Sequence, residues 1–271
     1  MVASLPAVEG MEGGAGGILL TSADGPVVTL RLNRPHVHNA FDDALLVALE
    51  AELARLDRAD AVRAVILTGE GRSFSSGDDL KGLRDASDEA FAHSIDALQC
   101  VTARLFDMAK PVICALNGPA YGAGLELALA CDVRLAAPGF VCATPEVRLG
   151  LVATNGASLL LPLLVGQSRA RRMLLSGGSR NADWCLEAGL VEEIVPAERL
   201  LARATEMAIE MCAGAPGAVA ATRRLLNSPL EALFSEALEA EALACVEARR
   251  SAEGREGIAA YFAKRRPAWR P

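Results

Sequence analysis

The chain has little of what many function classes require. Only three lysines occur, Lys81, Lys110 and Lys264; the other 24 of its 27 basic residues are arginines. No run of them forms a stripe, and the formal net charge is −7. That excludes a nucleic-acid groove, which needs a continuous positive surface. The pairs Arg171-Arg172, Arg223-Arg224 and Arg249-Arg250 read as solvated helix faces or subunit contacts. The three histidines, His36, His38 and His93, lack ligand companions at metal-binding spacing, so no metal site is expected. No phosphate-binding Gly-x-x-x-x-Gly-Lys and no Gly-x-Ser-x-Gly elbow occurs. No apolar stretch reaches the length of a membrane span.

The seven cysteines are scattered and odd in number, with no Cys-x-x-Cys. They read as reduced, mostly buried thiols of a cytoplasmic protein rather than a disulfide framework. The leader "MVASLPAVEGMEGGAGG" carries acids and no basic start, so neither a secretory signal nor a transit peptide is expected. Residues 1–17 are expected to form a flexible leader.

At 52 % apolar and 23 % charged over 271 residues, the chain can bury a sizeable core. Two apolar runs flank Asp24-Gly25, a hairpin signal. Leucines at 45, 46, 49, 53 and 56 predict a helix over 42–58. "RAVILTG" and "PVICALNG" read as buried strands, with a long helix over 87–108 between them. Short strands "DVRLAA" and "FVCA" follow, then a loop-rich connector "TPEVRLGLVATNGAS" and the helix "LLLPLLVG". Beyond 197 the periodicity is helical, with breaks near 214–217, Pro229 and Gly254. Strands alternating with helices predict an α/β domain with a parallel sheet over 18–196, and a helical region over 197–271.

The stretch "YGAGLELALACD" holds one acid in an otherwise apolar helix. A helix hydrophobic all round is buried, and a buried carboxylate must find a partner or change its pKa. Glu126 therefore has either a structural or a chemical use. Gly122 and Gly124 let the preceding turn approach a ligand, and the first N–H groups of the helix have no intrahelical acceptor. "SSGDD" offers a second such turn. Two turns aiming N–H groups at one point would form an oxyanion hole, and Glu126 with Glu146 could supply acid and base. "GAGLEL" is a poor dinucleotide fingerprint, because Leu127 stands in place of the third glycine.

The chain resembles the crotonase superfamily, the enoyl-CoA hydratase/isomerase family. The resemblance runs through "LNRPHVHNAF", "RAVILTGEGRSFSSGDDLKGL", "KPVICALNGPAYGAGLELALACDVRLAA", "FVCATPEVRLGL" and the terminal "AYFAKRRPAW". It implies a ββα spiral core with a C-terminal helical trimerisation region, and homotrimers that often pair into hexamers. It also implies an acyl-CoA thioester substrate with no separate cofactor, coenzyme A being part of the substrate. By motif position, the backbone N–H groups of Asp78 and Ala123 would polarise the thioester carbonyl. Ser76, Gly77, Asp78, Asp79, Leu80, Lys81, Gly122 and Ala123 would bind substrate, with Lys81 near the phosphates or adenine of the CoA. Glu126 and Glu146 fall where hydratases hold and activate water. The reaction implied is hydration of a trans-2-enoyl-CoA. An isomerase sharing the frame, or a silent acyl-CoA-binding protein, are the alternatives.

Three positions depart from the pattern. Asp78 stands where a small or apolar residue is usual. Ala123 replaces a common glycine. "GLVATNGAS" replaces Pro-Gly-x-Gly-Gly after the second glutamate, where Asn155 could add a polar contact to the acyl pocket.

Overall fold

The computed structural model describes residues 17–84 and 86–269. The expected leader, apart from Gly17, lies outside the described residues. The first strands, β1 (Leu19–Asp24) and β2 (Val27–Leu32), form the antiparallel hairpin that Asp24-Gly25 signals. Helix α1 (Asp43–Arg58) follows, and its N-cap Asp42 accepts a hydrogen bond from the Leu45 N–H at 2.9 Å. Next come β3 (Ala64–Gly69), the single turn α2 (Leu80–Leu83) and the long helix α3 (Asp88–Asp107). The Ser87 hydroxyl caps α3 by accepting from the Ala90 N–H. Strand β4 (Val112–Leu116), the short β5 (Ala120–Tyr121) and helix α4 (Ala123–Leu129) lead to β6 (Val133–Ala136) and β7 (Val141–Ala143). The region ends with α5 (Ala157–Val165), α6 (Gln167–Ser176), β8 (Arg180–Asn181), α7 (Ala182–Ala188) and β9 (Glu193–Ile194).

The main sheet runs β1-β2-β3-β4-β6-β9, parallel except at the β1 edge. A second sheet runs β5-β7-β8. Every residue of β3 is buried, because both faces of the sheet are covered. Side chains alternate between the faces of a strand. Val65 and Leu67 accordingly join the cluster packed by α1 and α3, while Ala64 and Ile66 join a second cluster. Residues of α8 (Leu200–Cys212) complete that second cluster.

The remaining helices are α9 (Pro216–Asn227), α10 (Glu231–Arg250) and α11 (Ala252–Phe262). The last break falls at Ser251, not Gly254. The Ser251 hydroxyl accepts the Gly254 N–H at 2.9 Å and starts α11 earlier than the glycine suggested. The expected connector over 144–158 contains a short 3-10 turn, Glu146–Leu149. Helix α10 buries Phe234, Leu238, Glu241 and Cys245, one stripe at helical spacing.

Two of the arginine pairs are not plain surface. Arg223 is buried; it pairs with Asp132 at 2.9 Å and donates to the carbonyls of Leu105, Phe106 and Met108. A cation there satisfies the orphan carbonyls at the C-terminal end of α3. Arg249 pairs with Asp88 at 2.6 Å and lies over the Phe91 ring. Arg171, Arg172, Arg224 and Arg250 are exposed. Six of the seven cysteines are buried, with Cys100 exposed.

Candidate active site

Two turns meet beside the C-terminal ends of β3 and β4. In the first, Phe41 donates its N–H to the Gly77 carbonyl at 2.9 Å, and Asp79 donates to the Phe41 carbonyl at 2.8 Å. This bridge uses the groups on either side of Asp78 and turns the Asp78 N–H the other way. In the second turn, Ala123 is the first residue of α4 and its N–H precedes any intrahelical acceptor. Among the described residues, neither N–H has a protein acceptor. Gly77 has φ +83°, and a Cβ there would lie 2.7 Å from the Tyr121 carbonyl and 3.1 Å from the Ala123 nitrogen. Only glycine permits both that backbone angle and that approach. The two turns are therefore in van der Waals contact, with two free donors close together.

All seven residues of α4 are buried, Glu126 included. One Glu126 oxygen, Oε2, accepts the N–H groups of Thr154 at 3.3 Å and Asn155 at 3.1 Å. The other, Oε1, is buried with no partner among the described residues. Burial pushes the Glu126 carboxyl well above the ordinary carboxylate range; the charges of Glu146, Glu241 and Asp78 push it the same way, and the Thr154 N–H opposes them. Glu146 begins the 3-10 turn after β7. A Cβ on Gly122, whose φ is +52°, would stand 2.6 Å from Glu146 Oε1. Glu146 thus lies against the turn that presents the Ala123 N–H. Its own burial, reinforced by Asp78 and Glu241, pushes it up to about 8. Burial pushes Asp78 up to about 6.

Ser76, Asp78, Asp79, Leu80 and Lys81 line one cavity of about 530 Å³. His36, His38 and Lys264 face the same space, with Tyr261 and Phe262 of α11. These five escaped sequence reasoning. The signal available was "RPHVHNAF", since its Phe41 forms the bridge that carries residues 76–81. A groove of similar size, about 510 Å³, runs between α1 and α3. Two of its three charged residues, Glu50 and Arg104, already pair with each other at 2.9 Å; the third is Asp107.

The loop after Glu146 holds two further findings. Asn155 is fully buried, and its backbone N–H donates to Glu126. Both ends of its side-chain amide lack partners among the described residues. Glu241 of α10 was not foreseen. It accepts the N–H groups of Gly156 and Ser158, each at 2.7 Å, and so caps α5. An acid on the Phe234–Leu238–Cys245 stripe was the signal that could have found it.

A family model described as enoyl-CoA hydratase/isomerase matches residues 22–271. The chain belongs to the enoyl-CoA hydratase/isomerase family. It is 34 % identical to the 2,3-dehydroadipyl-CoA hydratase of Escherichia coli K12, covering 92 % of this chain and 97 % of that one. It is 33 % identical to the 1,2-epoxyphenylacetyl-CoA isomerase of the same organism, with the same coverage. The crystal structure of an enoyl-CoA hydratase/isomerase from Pseudoalteromonas atlantica T6c superposes with a TM-score of 0.86 at 32 % identity, over 94 % of this chain and all of that one. The fold is the crotonase fold, and the family's enzymes act on acyl-CoA thioesters. Among the described residues, no helix is long and apolar enough to cross a membrane.

Proposed function

We propose that the protein is an enoyl-CoA hydratase, adding water across the double bond of a trans-2-enoyl-CoA. The observation that carries this reading is the unpaired, buried Glu126 Oε1 beside a second raised carboxyl, Glu146, at two free N–H groups. The thioester carbonyl would accept from Asp78 N–H and Ala123 N–H, which stabilise the charge that grows on its oxygen as the enolate forms. Water held by the carboxyls attacks Cβ. One of the two carboxyls, ionised, takes the proton from that water. The other keeps its proton and delivers it to Cα. A proton passing between them resets the pair. Two acids that share one cavity and can differ in protonation suit this division.

Ser76 to Lys81 and Gly122 would lie along the substrate, with Lys81, Lys264, His36 and His38 toward the CoA phosphates. The proposed chemistry uses no metal or redox cofactor, and coenzyme A enters as part of the substrate. We place the enzyme in the cytoplasm, as its reduced, buried thiols favour. We also assign it a homotrimer, alone or paired into a hexamer. Leu225 and Leu226 of α9 are each 70 % exposed and Leu243 of α10 is 67 % exposed, an apolar face that a second copy would cover.

The test is loss of the conjugated enoyl-thioester absorbance on mixing with crotonyl-CoA. Water addition supports the reading; its absence overturns it. Double-bond migration in a 3-enoyl-CoA without hydration would instead establish an isomerase. That second reading draws on the family's description as enoyl-CoA hydratase/isomerase.

A further inference from the structure

An apolar cluster joins Phe91 and Ile95 from α3, Leu151, and Cys245 from α10, and it adjoins the second acid, since the Leu151 N–H donates to the Glu146 carbonyl at 3.0 Å. All four are buried. Burial pushes the Cys245 thiol up, and the charges of Asp78, Glu126 and Glu146 push it the same way. Between this cluster and the 530 Å³ groove is a cavity of only about 20 Å³. It shares Leu80, Tyr261 and Phe262 with the groove, and Phe91 and Leu151 with the cluster. A space of that size admits about one water-sized group. The walls are also braced. The Arg249 guanidinium lies 4.7 Å from the Phe91 ring centre, and that of Arg84 lies 5.0 Å from the Phe262 ring centre. Cation–π contacts of this kind hold the rings against the chamber.

We propose that Phe91, Ile95, Leu151 and Cys245 close the acyl chamber of the proposed active site and restrict its substrates to short acyl chains. The inference rests on the acyl-CoA reading of that site. A chain that outgrows the chamber must displace a packed wall, and close-packed interiors resist even one added methylene. Helix α10 thereby has a second role, since the element that caps α5 through Glu241 also sets the depth of the chamber.

Saturated acyl-CoAs test this without any reaction taking place. Calorimetric titration of the full chain with acetyl-, butanoyl-, hexanoyl- and octanoyl-CoA should show affinity rising to butanoyl and falling by at least ~10-fold at octanoyl, the scale on which pockets discriminate added methylenes. Leu151→Ala and Cys245→Ala should each recover much of the octanoyl affinity. Affinity that is flat or rises through octanoyl in the wild type would overturn the chamber, as would an unchanged profile in both variants. If binding follows chain length as expected but crotonyl-CoA gains no water, the hydratase reading falls and the chamber stands. Hydration of crotonyl-CoA together with a flat binding profile has the opposite meaning.

Discussion

Glu126 and Glu241 are two buried acids attached to the same stretch of backbone. Glu126, from α4, takes the N–H groups of Thr154 and Asn155 on one oxygen and leaves the other without a partner among the described residues. Glu241, from α10, takes Gly156 N–H on one oxygen and Ser158 N–H on the other. Burial raises the pKa of both. They differ in what is left over. Glu241 spends both oxygens on the N-terminal end of α5, where a carboxylate meets orphan donors and the positive end of the helix dipole. Glu126 retains an oxygen that folding does not use. Leaving a buried polar atom unpaired costs about 1–3 kcal/mol, and such strain concentrates where a site has work to do. Burial alone would not have distinguished the two; the count of satisfied oxygens does.

The largest effect should come from Glu126→Gln, which keeps the shape and removes the proton. If the free oxygen serves chemistry, kcat should fall by at least ~10²-fold, with acyl-CoA affinity little changed. The melting temperature should hold or rise, because the amide is easier to bury than an acid. A lower melting temperature with turnover intact would reverse the comparison and make Glu126 the structural acid.

Glu241→Ala should behave the other way. Gly156 N–H and Ser158 N–H would lose their acceptor in the interior, at a cost of about 2–3 kcal/mol. That corresponds to a fall in melting temperature of roughly 5 °C or more for a chain of this size. Turnover of the folded fraction should drop less than in Glu126→Gln, since the same loop still carries the two donors to Glu126. Thermal melts at matched concentration, with kcat measured well below the transition, separate the two outcomes.

What could be foreseen divides along the same line. Local pattern exposed Glu126, because an acid on a short helix apolar on every side has no solvent face to occupy. The same logic applies to Glu241. There the signal is diluted, because "EALEAEALACVEA" carries acids on several faces and only the stripe through Phe234, Leu238 and Cys245 singles one out. The buried strand β3, the Asp24-Gly25 hairpin and the bounds of α1 and α3 are likewise local, and the structure has them within a residue of their expected places. Arg223 was not legible. Its partners are the Asp132 carboxylate and the carbonyls of Leu105, Phe106 and Met108, all far away in sequence, and the carbonyls carry no side-chain signature. His36, His38 and Lys264 escaped for the same reason: the fold, not their spacing, brings them to one groove.

A smaller perturbation aims at the contact between the second acid and its turn. Gly122→Ala places a methyl 2.6 Å from Glu146 Oε1 and imposes φ +52° on a residue with a Cβ. The backbone strain should cost about 1–3 kcal/mol. The displaced carboxyl should lower kcat by about 10-fold or more, as misplacement of a reacting group does. Glu126 is untouched in this variant, so combining it with Glu126→Gln should give less than the product of the two losses if the acids act as a unit. Fully multiplicative losses would mean that they act independently.

The smallest effect concerns stability against pH, and it reads the second acid without any substrate. The ordinary glutamate value is 4.5, and burial pushes Glu146 up to about 8. Between those limits the folded chain holds a proton that the unfolded chain has released. The contribution to stability is therefore complete below about 4.5 and is lost as pH rises toward 8. Asp78, pushed up to about 6, adds a slope of the same sign at the lower end of the window. Glu146→Gln cannot ionise, so its melting temperature should exceed that of the wild type at pH 8. The gap should be at least a few degrees, at roughly 2–4 °C per kcal/mol for a chain of this size. It should close as pH falls toward 5, and Asp78, present in both proteins, should leave a shallow residual slope in each. A Gln variant less stable than wild type at pH 8 would show that Glu146 is ionised and satisfied in the folded chain. Glu146 would then belong beside Glu241 among the structural acids, and Glu126 would be left to act alone.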